Sequence, residues 1–114
     1  MMADAGRRHV VLLDATLEVD VRGSGEPIVL IQTALVADEF VPIASRPVLR
    51  DNYTIVLYHR RGYAGSSPIQ GPGSIVRDAI DCRRLLAELR IDRAHVVGVS
   101  YSAGCRFAVG CRRA

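Results

Sequence analysis

The sequence contains no lysine and no tryptophan, and only six of its 114 residues are aromatic. All 15 basic residues are therefore arginines, and the formal net charge is +3. The arginines are scattered along the chain, apart from short pairs such as Arg60-Arg61. A nucleic-acid-binding surface typically gathers basic residues on one face and interleaves them with aromatic side chains. The composition therefore argues against nucleic acid as a partner.

Long apolar runs are also missing. No run approaches the roughly 18 residues that a helix needs to span a bilayer, and the stretch Val10–Leu13 is too short for the core of a signal peptide. The three cysteines, Cys82, Cys105 and Cys111, show no C-x-x-C spacing, which favours reduced, buried thiols over a disulfide or a metal site. We therefore predict a cytoplasmic protein without membrane association, metal or cofactor.

The length allows one domain at most, which we place at residues 1–114. Hydrophobic residues make up 49% of the chain, which is typical of a globular protein and argues against disorder. A domain of this size buries roughly two-thirds of the surface that its unfolded chain exposes.

Short apolar and β-branched stretches predict five strands. The first two are separated by Asp14-Ala15, and the second alternates apolar and acidic residues, so we expect an antiparallel hairpin with one wet face. The next two are continuous apolar runs, typical of parallel strands that helices cover on both faces. Between them, residues 38–49 predict a loop and a short helical segment, with Pro42 in a first turn. The predicted strands are residues 9–13, 16–21, 28–31, 53–58 and 94–99.

A long amphipathic helix is predicted from Ser74, as its N-cap, to about Arg90. We interpret Asp78 and Asp81 as acids near the positive end of the helix dipole. The alternation of strands and helices predicts an α/β fold with a mostly parallel sheet and right-handed crossovers. The apolar stripe of the helix consists of Ile75, Ala79, Cys82, Leu86 and Leu89.

The stretch from Val96 to Gly104 carries the clearest chemical signal. Gly98 and Ser102 flank Ser100 at positions −2 and +2, in a G-x-S-x-S pattern one residue away from G-x-S-x-G. In the latter pattern, a serine lies on a sharp strand-to-helix turn that admits only small neighbours. A β-branched run precedes Ser100 and small residues follow it. We therefore predict a nucleophile elbow with Ser100 as the nucleophile.

With these features the chain resembles the α/β-hydrolase fold superfamily, in particular its small, esterase-like members. The resemblance runs from His9 to about Ala108. It includes the glycine-rich turn at residues 23–27 and the segment 58–66, which is similar to the family's Asp-Arg-Arg-Gly segment. It implies the N-terminal portion of an α/β-hydrolase sheet, in which an antiparallel hairpin is followed by parallel strands with flanking helices. This portion stops after the helix that follows the nucleophile elbow.

The resemblance also implies an oxyanion hole made of two backbone N–H groups, those of Tyr101 and Ala34. Members of the superfamily usually carry His-Gly after the third strand, where this chain has Gln32-Thr33. Because the donors belong to the main chain, this departure limits the site only through the shape of the loop. His59 stands where the family usually has aspartate.

No Asp, Glu or His follows Ser100, although the triad order in this fold is nucleophile, acid, histidine. His95 opens the strand that leads to Ser100 and should lie about 16 Å away, at the opposite end of the sheet. His59 should lie on the same sheet edge as Ser100. We interpret His59 as structuring its loop, with general-base catalysis as the alternative, and Arg60-Arg61 as bracing that loop.

The resemblance thus implies that a full-length relative hydrolyses a carboxylic ester or related acyl substrate through an acyl-enzyme on Ser100. Serine at the elbow argues against epoxide-hydrolase and dehalogenase chemistry, whose enzymes use aspartate there. Because the acid and the histidine are missing, we expect little or no activity from the chain itself. The alternative is a non-catalytic fragment or interaction module that self-associates through an open sheet edge.

Overall fold

The computed structural model describes residues 7–32, 40–69, 71 and 73–98. Within them the chain forms five strands and three helices. The strands are β1 (Arg7–Val11), β2 (Thr16–Gly23), β3 (Glu26–Ile31), β4 (Tyr53–Tyr58) and β5 (His95–Val97), and the helices are α1 (Val41–Ala44), α2 (Pro47–Arg50) and α3 (Ile75–Glu88). No helix in these ranges is long and apolar enough to cross a membrane.

The strands form one mixed sheet in the order β1-β2-β4-β3-β5. β1 pairs with β2 in antiparallel fashion, as the sequence predicts, and β2 pairs with β4 in the same sense. β3 pairs with β4 on one side and with β5 on the other, both in parallel. The sheet therefore combines an antiparallel hairpin with three parallel strands, in agreement with the predicted α/β fold.

Helices cover both faces of this sheet. α3 packs on one face, where Leu17, Val29 and Val56 meet Cys82 and Leu85, all fully buried. The short helices α1 and α2 pack on the other face, over a smaller cluster that includes Ile55 and Ala44. The continuous apolar runs of β3 and β4 are explained by this double coverage.

The ends of the elements follow local chemistry. The Ser74 hydroxyl accepts a hydrogen bond from the Arg77 amide and caps α3 as predicted. Pro42 lies in the first turn of α1, where a missing N–H costs nothing. The predicted turn before β3 is shorter than expected, because β2 runs on to Gly23 and β3 begins at Glu26.

Two expectations for α3 need correction. Ile75, which we placed in the apolar stripe, is 39% exposed, whereas Leu85 is fully buried. Asp78 lies in the first turn, as the dipole interpretation requires, but Asp78 and Asp81 are only 4% and 2% exposed. Such buried carboxylates need charged partners, and the dipole interpretation misses them.

Candidate functional site

The carboxyl ends of β3, β4 and β5 meet at one edge of the sheet because these strands run parallel. We call this edge the carboxyl edge. Gln32 follows β3, His59 follows β4 and Gly98 follows β5. Leu30 of β3 lies opposite Val97 of β5, so the segments that begin at Gln32 and Gly98 leave the sheet side by side.

The predicted nucleophile and oxyanion-hole residues belong to those two segments. Gly98 lies one residue beyond β5 and is half-buried. Ser100, Tyr101, Ser102 and Ala34 lie outside the described residues, so their roles stay predictions. The structure describes the scaffold from which both segments start.

The largest part of that scaffold is the loop that follows β4, which we call the β4 loop (residues 59–69). Arg60, only 5% exposed, crosses from this loop to α3, where its Nη1 lies 3.0 Å from Asp78 Oδ2. Its Nε donates to the main-chain oxygen of Gln32 at 3.1 Å. The Arg60 guanidinium also lies over the Tyr63 ring, 4.8 Å from the ring centroid. Arg60 therefore joins the β4 loop to both β3 and α3.

Arg61 makes a second connection to α3. Its Nε and Nη2 donate to the two carboxylate oxygens of Asp81 at 3.0 and 2.9 Å, a bidentate pair. Nη2 also donates to Asp14 Oδ1 at 3.0 Å. The hydrogen bonds that Arg61 donates to Asp81 raise the pKa of Arg61 above its ordinary value, and the hydrogen bond that it donates to Asp14 lowers the pKa of that carboxyl. The interpretation that these arginines brace the loop agrees with this geometry.

Two serines fasten the β4 loop to β2. The Ser66 hydroxyl accepts from the Glu18 amide at 2.8 Å and donates to the His59 carbonyl oxygen at 2.6 Å. The Ser67 hydroxyl accepts from the Thr16 amide, while the Ser67 amide donates to the Thr16 carbonyl oxygen, both at 2.8 Å. The loop is therefore hydrogen-bonded along its length to a strand of the sheet.

Glu18 holds the start of the β4 loop through its side chain. Its Oε1 lies 2.6 Å from Nδ1 of His59 and accepts from the Gly65 amide at 3.0 Å. Arg7 lies 3.5 Å from the other carboxylate oxygen. The Gly65 amide, and after it the His59 ring, hold the pKa of Glu18 below its ordinary value of 4.5. Charged Glu18 therefore stabilises the folded loop.

This shift predicts a specific acid dependence of stability. A carboxylate with a depressed folded-state pKa contributes stability above its unfolded-state pKa and loses it as the pH falls through the folded-state pKa. We expect Glu18→Gln to lower the urea midpoint at pH 7. We also expect the midpoint of this variant to fall less steeply than that of wild type as the pH drops below 4.5. Glu26→Gln, at a side chain that is 76% exposed, is the control. A decline equally steep in Glu18→Gln and in wild type would contradict the assignment.

His95 and His59 lie at opposite ends of the sheet, as predicted. His95 lies opposite Ile28, away from the carboxyl edge, and its Nε2 is 3.1 Å from Glu26 Oε1. His59 lies at the carboxyl edge and contacts Glu18, as a loop-structuring residue would. The structural interpretation of His59 is therefore the better one.

The described residues contain no group of three or more His, Cys, Asp or Glu side chains that could hold a metal ion. Cys82 is buried in the core beneath α3, as predicted. A cavity of about 20 Å³ beside β2 and β4 is lined by residues that include Glu18, Gln32 and His59. Its volume suits one water molecule rather than a substrate.

Several solved structures that match the fold of this chain are described as hydrolases. A proposed α/β-hydrolase from Nostoc sp PCC 7120 matches 98% of this chain with a TM-score of 0.82 and 23% identity. A proposed epoxide hydrolase from Pseudomonas aeruginosa matches 98% with a TM-score of 0.81 and 25% identity. A thermophilic esterase from Thermogutta terrifontis matches 96% with a TM-score of 0.81 and 19% identity.

The chain has the N-terminal part of the α/β-hydrolase fold. The matched region makes up only 40%, 38% and 42% of those three hydrolases, so this chain spans about two-fifths of their length. No sequence-family model and no curated protein matches the chain. The predicted α/β-hydrolase fold is confirmed by the structural matches, which span different hydrolase activities.

Sequence reasoning missed several residues that build this part of the α/β-hydrolase fold. Nothing in the sequence pairs Glu18 with His59, which are 41 positions apart. A signal did exist for the arginine pairs. Asp78 and Asp81 are three residues apart and adjoin Ala79 and Cys82 of the apolar stripe, so they lie within the buried arc of α3. Carboxylates in that position require cationic partners.

Proposed function

We propose that this chain is the N-terminal part of a serine hydrolase that acts on a carboxylic ester or a related acyl substrate. Ser100 is the nucleophile, and the backbone N–H groups of Tyr101 and Ala34 stabilise the oxyanion. The observation that carries the proposal is the parallel pairing of β3 with β5. Because of this pairing, the two segments that contain these residues begin side by side at the carboxyl edge.

The chemistry requires a base that the chain does not supply. A serine hydroxyl is a weak nucleophile at neutral pH until a base takes its proton, and no Asp, Glu or His follows Ser100. His59 is engaged with Glu18. Oxyanion stabilisation and binding without a triad leave a residual acceleration of about 10³-fold over water. We therefore assign full activity to a whole protein of the length of the matched hydrolases.

The structural neighbours include enzymes described as epoxide hydrolases as well as an esterase. Acyl transfer is favoured here because residue 100 is serine. A serine nucleophile forms an ester intermediate that water attacks at its carbonyl carbon, with the developing oxyanion held by backbone donors. The epoxide-opening alternative uses an aspartate at the elbow.

The proposal is tested by covalent labelling with a fluorophosphonate and by hydrolysis of 4-nitrophenyl acetate. We expect slow labelling that mass spectrometry locates at Ser100 and that is lost in Ser100→Ala. Turnover should stay within about 10³-fold of the uncatalysed rate. Ser24→Ala, at an exposed turn residue beside the opposite end of the sheet, should label like wild type. Labelling spread over several serines, or unchanged in Ser100→Ala, would refute the nucleophile.

A second candidate function is a non-catalytic interaction module that self-associates through β5. Among the described residues β5 pairs with β3 alone, and Val97 is 36% exposed. An exposed strand edge of this kind offers unpaired backbone groups to a second copy. Light scattering on the labelling samples separates the candidates, because a monomer at micromolar concentration that labels at Ser100 supports the hydrolase and excludes the module.

A further inference from the structure

Gln32, the residue that follows β3, is held from two sides by Arg60. The Gln32 side-chain oxygen accepts from the Arg60 backbone amide at 2.5 Å, and the Gln32 main-chain oxygen accepts from Arg60 Nε at 3.1 Å. A backbone N–H can only donate, so the amide oxygen of Gln32 must face Arg60. Both the side chain and the peptide group at this position are therefore fixed by one residue.

Arg60 is itself immobilised. Its guanidinium pairs with Asp78 of α3 at 3.0 Å, and both side chains are at most 5% exposed. Gln32 is 2% exposed. The three residues form a buried connection from the end of β3 through the β4 loop to the first turn of α3. We call Gln32, Arg60 and Asp78 the buried clamp.

We propose that Arg60 is a positioning residue for the oxyanion side of the site, acting through Gln32. The inference rests on the proposed function, because Ala34, the proposed donor, follows Gln32 by two residues. Donors of an oxyanion hole act only when they are preorganised, and functional groups must be held to about 0.5 Å. The buried clamp fixes the peptide group from which the donor segment starts.

This chain has Gln32-Thr33 where the superfamily usually has His-Gly, and the buried clamp gives the Gln32 side chain a structural role. The Gln32 amide supplies an acceptor for the Arg60 N–H, so the start of the donor segment is fixed by a hydrogen bond from the side chain at position 32. Gln32→Met removes that acceptor with little change in volume. Gln32→Glu keeps an acceptor oxygen in place and is the conservative variant.

The experiment is amide hydrogen exchange by NMR in wild type, Gln32→Met, Gln32→Glu and Arg60→Lys. In Gln32→Met and Arg60→Lys we expect exchange at the amides of Thr33 and Ala34 to accelerate about 10-fold or more relative to the core amides of Val29 and Ile55. Gln32→Glu keeps the acceptor oxygen, so protection at Thr33 and Ala34 relative to the core amides should be higher than in Gln32→Met. Arg8→Lys, at an exposed residue of β1, is the control and should change neither set.

Equal acceleration at the donor segment and at the core would reduce the clamp to a general stabilising contact and overturn the proposal. So would the absence of protection at Thr33 and Ala34 in wild type. A kinetic measurement uses Ser100-dependent hydrolysis of 4-nitrophenyl acetate, where Gln32→Met should lower kcat about 10-fold with KM nearly unchanged. If wild type shows no Ser100-dependent labelling or rate, the proposed function fails, whereas the exchange result still decides the clamp.

Discussion

Replacing Asp81 with alanine should lower the free energy of unfolding by about 3–5 kcal/mol. The substitution leaves the Arg61 guanidinium, whose side chain is 8% exposed, without its bidentate partner. Arg61 then keeps only Asp14, an exposed partner, and a buried cation whose lost hydration is no longer offset costs far more than the pair is worth. Native domains have only about 5–15 kcal/mol of stability, so urea unfolding at pH 7 should show a large fall in the midpoint.

Two further variants separate this explanation from simple loss of contacts. Asp14 contacts the same guanidinium group at 3.0 Å, but its side chain is 51% exposed. Asp14→Asn should therefore change the midpoint little, since water replaces an exposed partner. The double variant Arg61→Met, Asp81→Leu removes the charge together with its partner and should recover most of the loss. A double variant as unstable as Asp81→Ala would contradict the explanation.

The order of the elements could be predicted because it depends on short-range patterns. Alternation in residues 16–21 predicts a strand with one wet face, and the apolar runs 28–31 and 53–58 predict strands covered on both faces. All three strands are present, but the predicted wet face of β2 is wrong, because Asp20 is buried and the Glu18 side chain is only 16% exposed. Ser74 could be identified as an N-cap because capping is a contact over three residues. Such signals survive in a single sequence.

The contacts that fix the carboxyl edge could not be predicted in the same way. The β4 loop is held by partners 18 to 51 positions away, from Asp78 to Thr16, and no local period marks such pairs. Charge is misleading here as well. The helix-dipole interpretation of Asp78 and Asp81 gives them no charged partners, whereas the fold buries them against Arg60 and Arg61.

The candidate site likewise has one part that a short motif predicts and another part that depends on long-range contacts. The G-x-S-x-S pattern predicts Ser100 as the nucleophile from five consecutive residues, whereas Gln32, at the end of β3, is held by contacts with Arg60 that no such pattern contains. Those contacts depend on the strand order β4-β3-β5, which a motif does not contain. The sequence therefore predicts which atoms react, and the structure adds what holds their neighbours in place.

Gly23→Ala should be strongly destabilising, with an expected loss of about 3 kcal/mol or more in the free energy of unfolding. Its φ of +83° lies in the left-handed region, where a Cβ is strained. A Cβ there would also overlap the carbonyl oxygen of Tyr53 and approach that of Arg50 to 2.7 Å. Both atoms belong to the main chain, so relief requires β2 and β4 to separate.

Gly71 provides a matched control for this prediction, because it shares the backbone angle without the contacts. Its φ is +82°, and a Cβ would meet no atom of the described residues within 4 Å. Gly71→Ala should therefore report the left-handed strain alone, about 1–2 kcal/mol. Urea unfolding of the two variants separates steric overlap from backbone strain. Equal losses would mean that the close approach of Gly23 to the main chain of Arg50 and Tyr53 carries no cost.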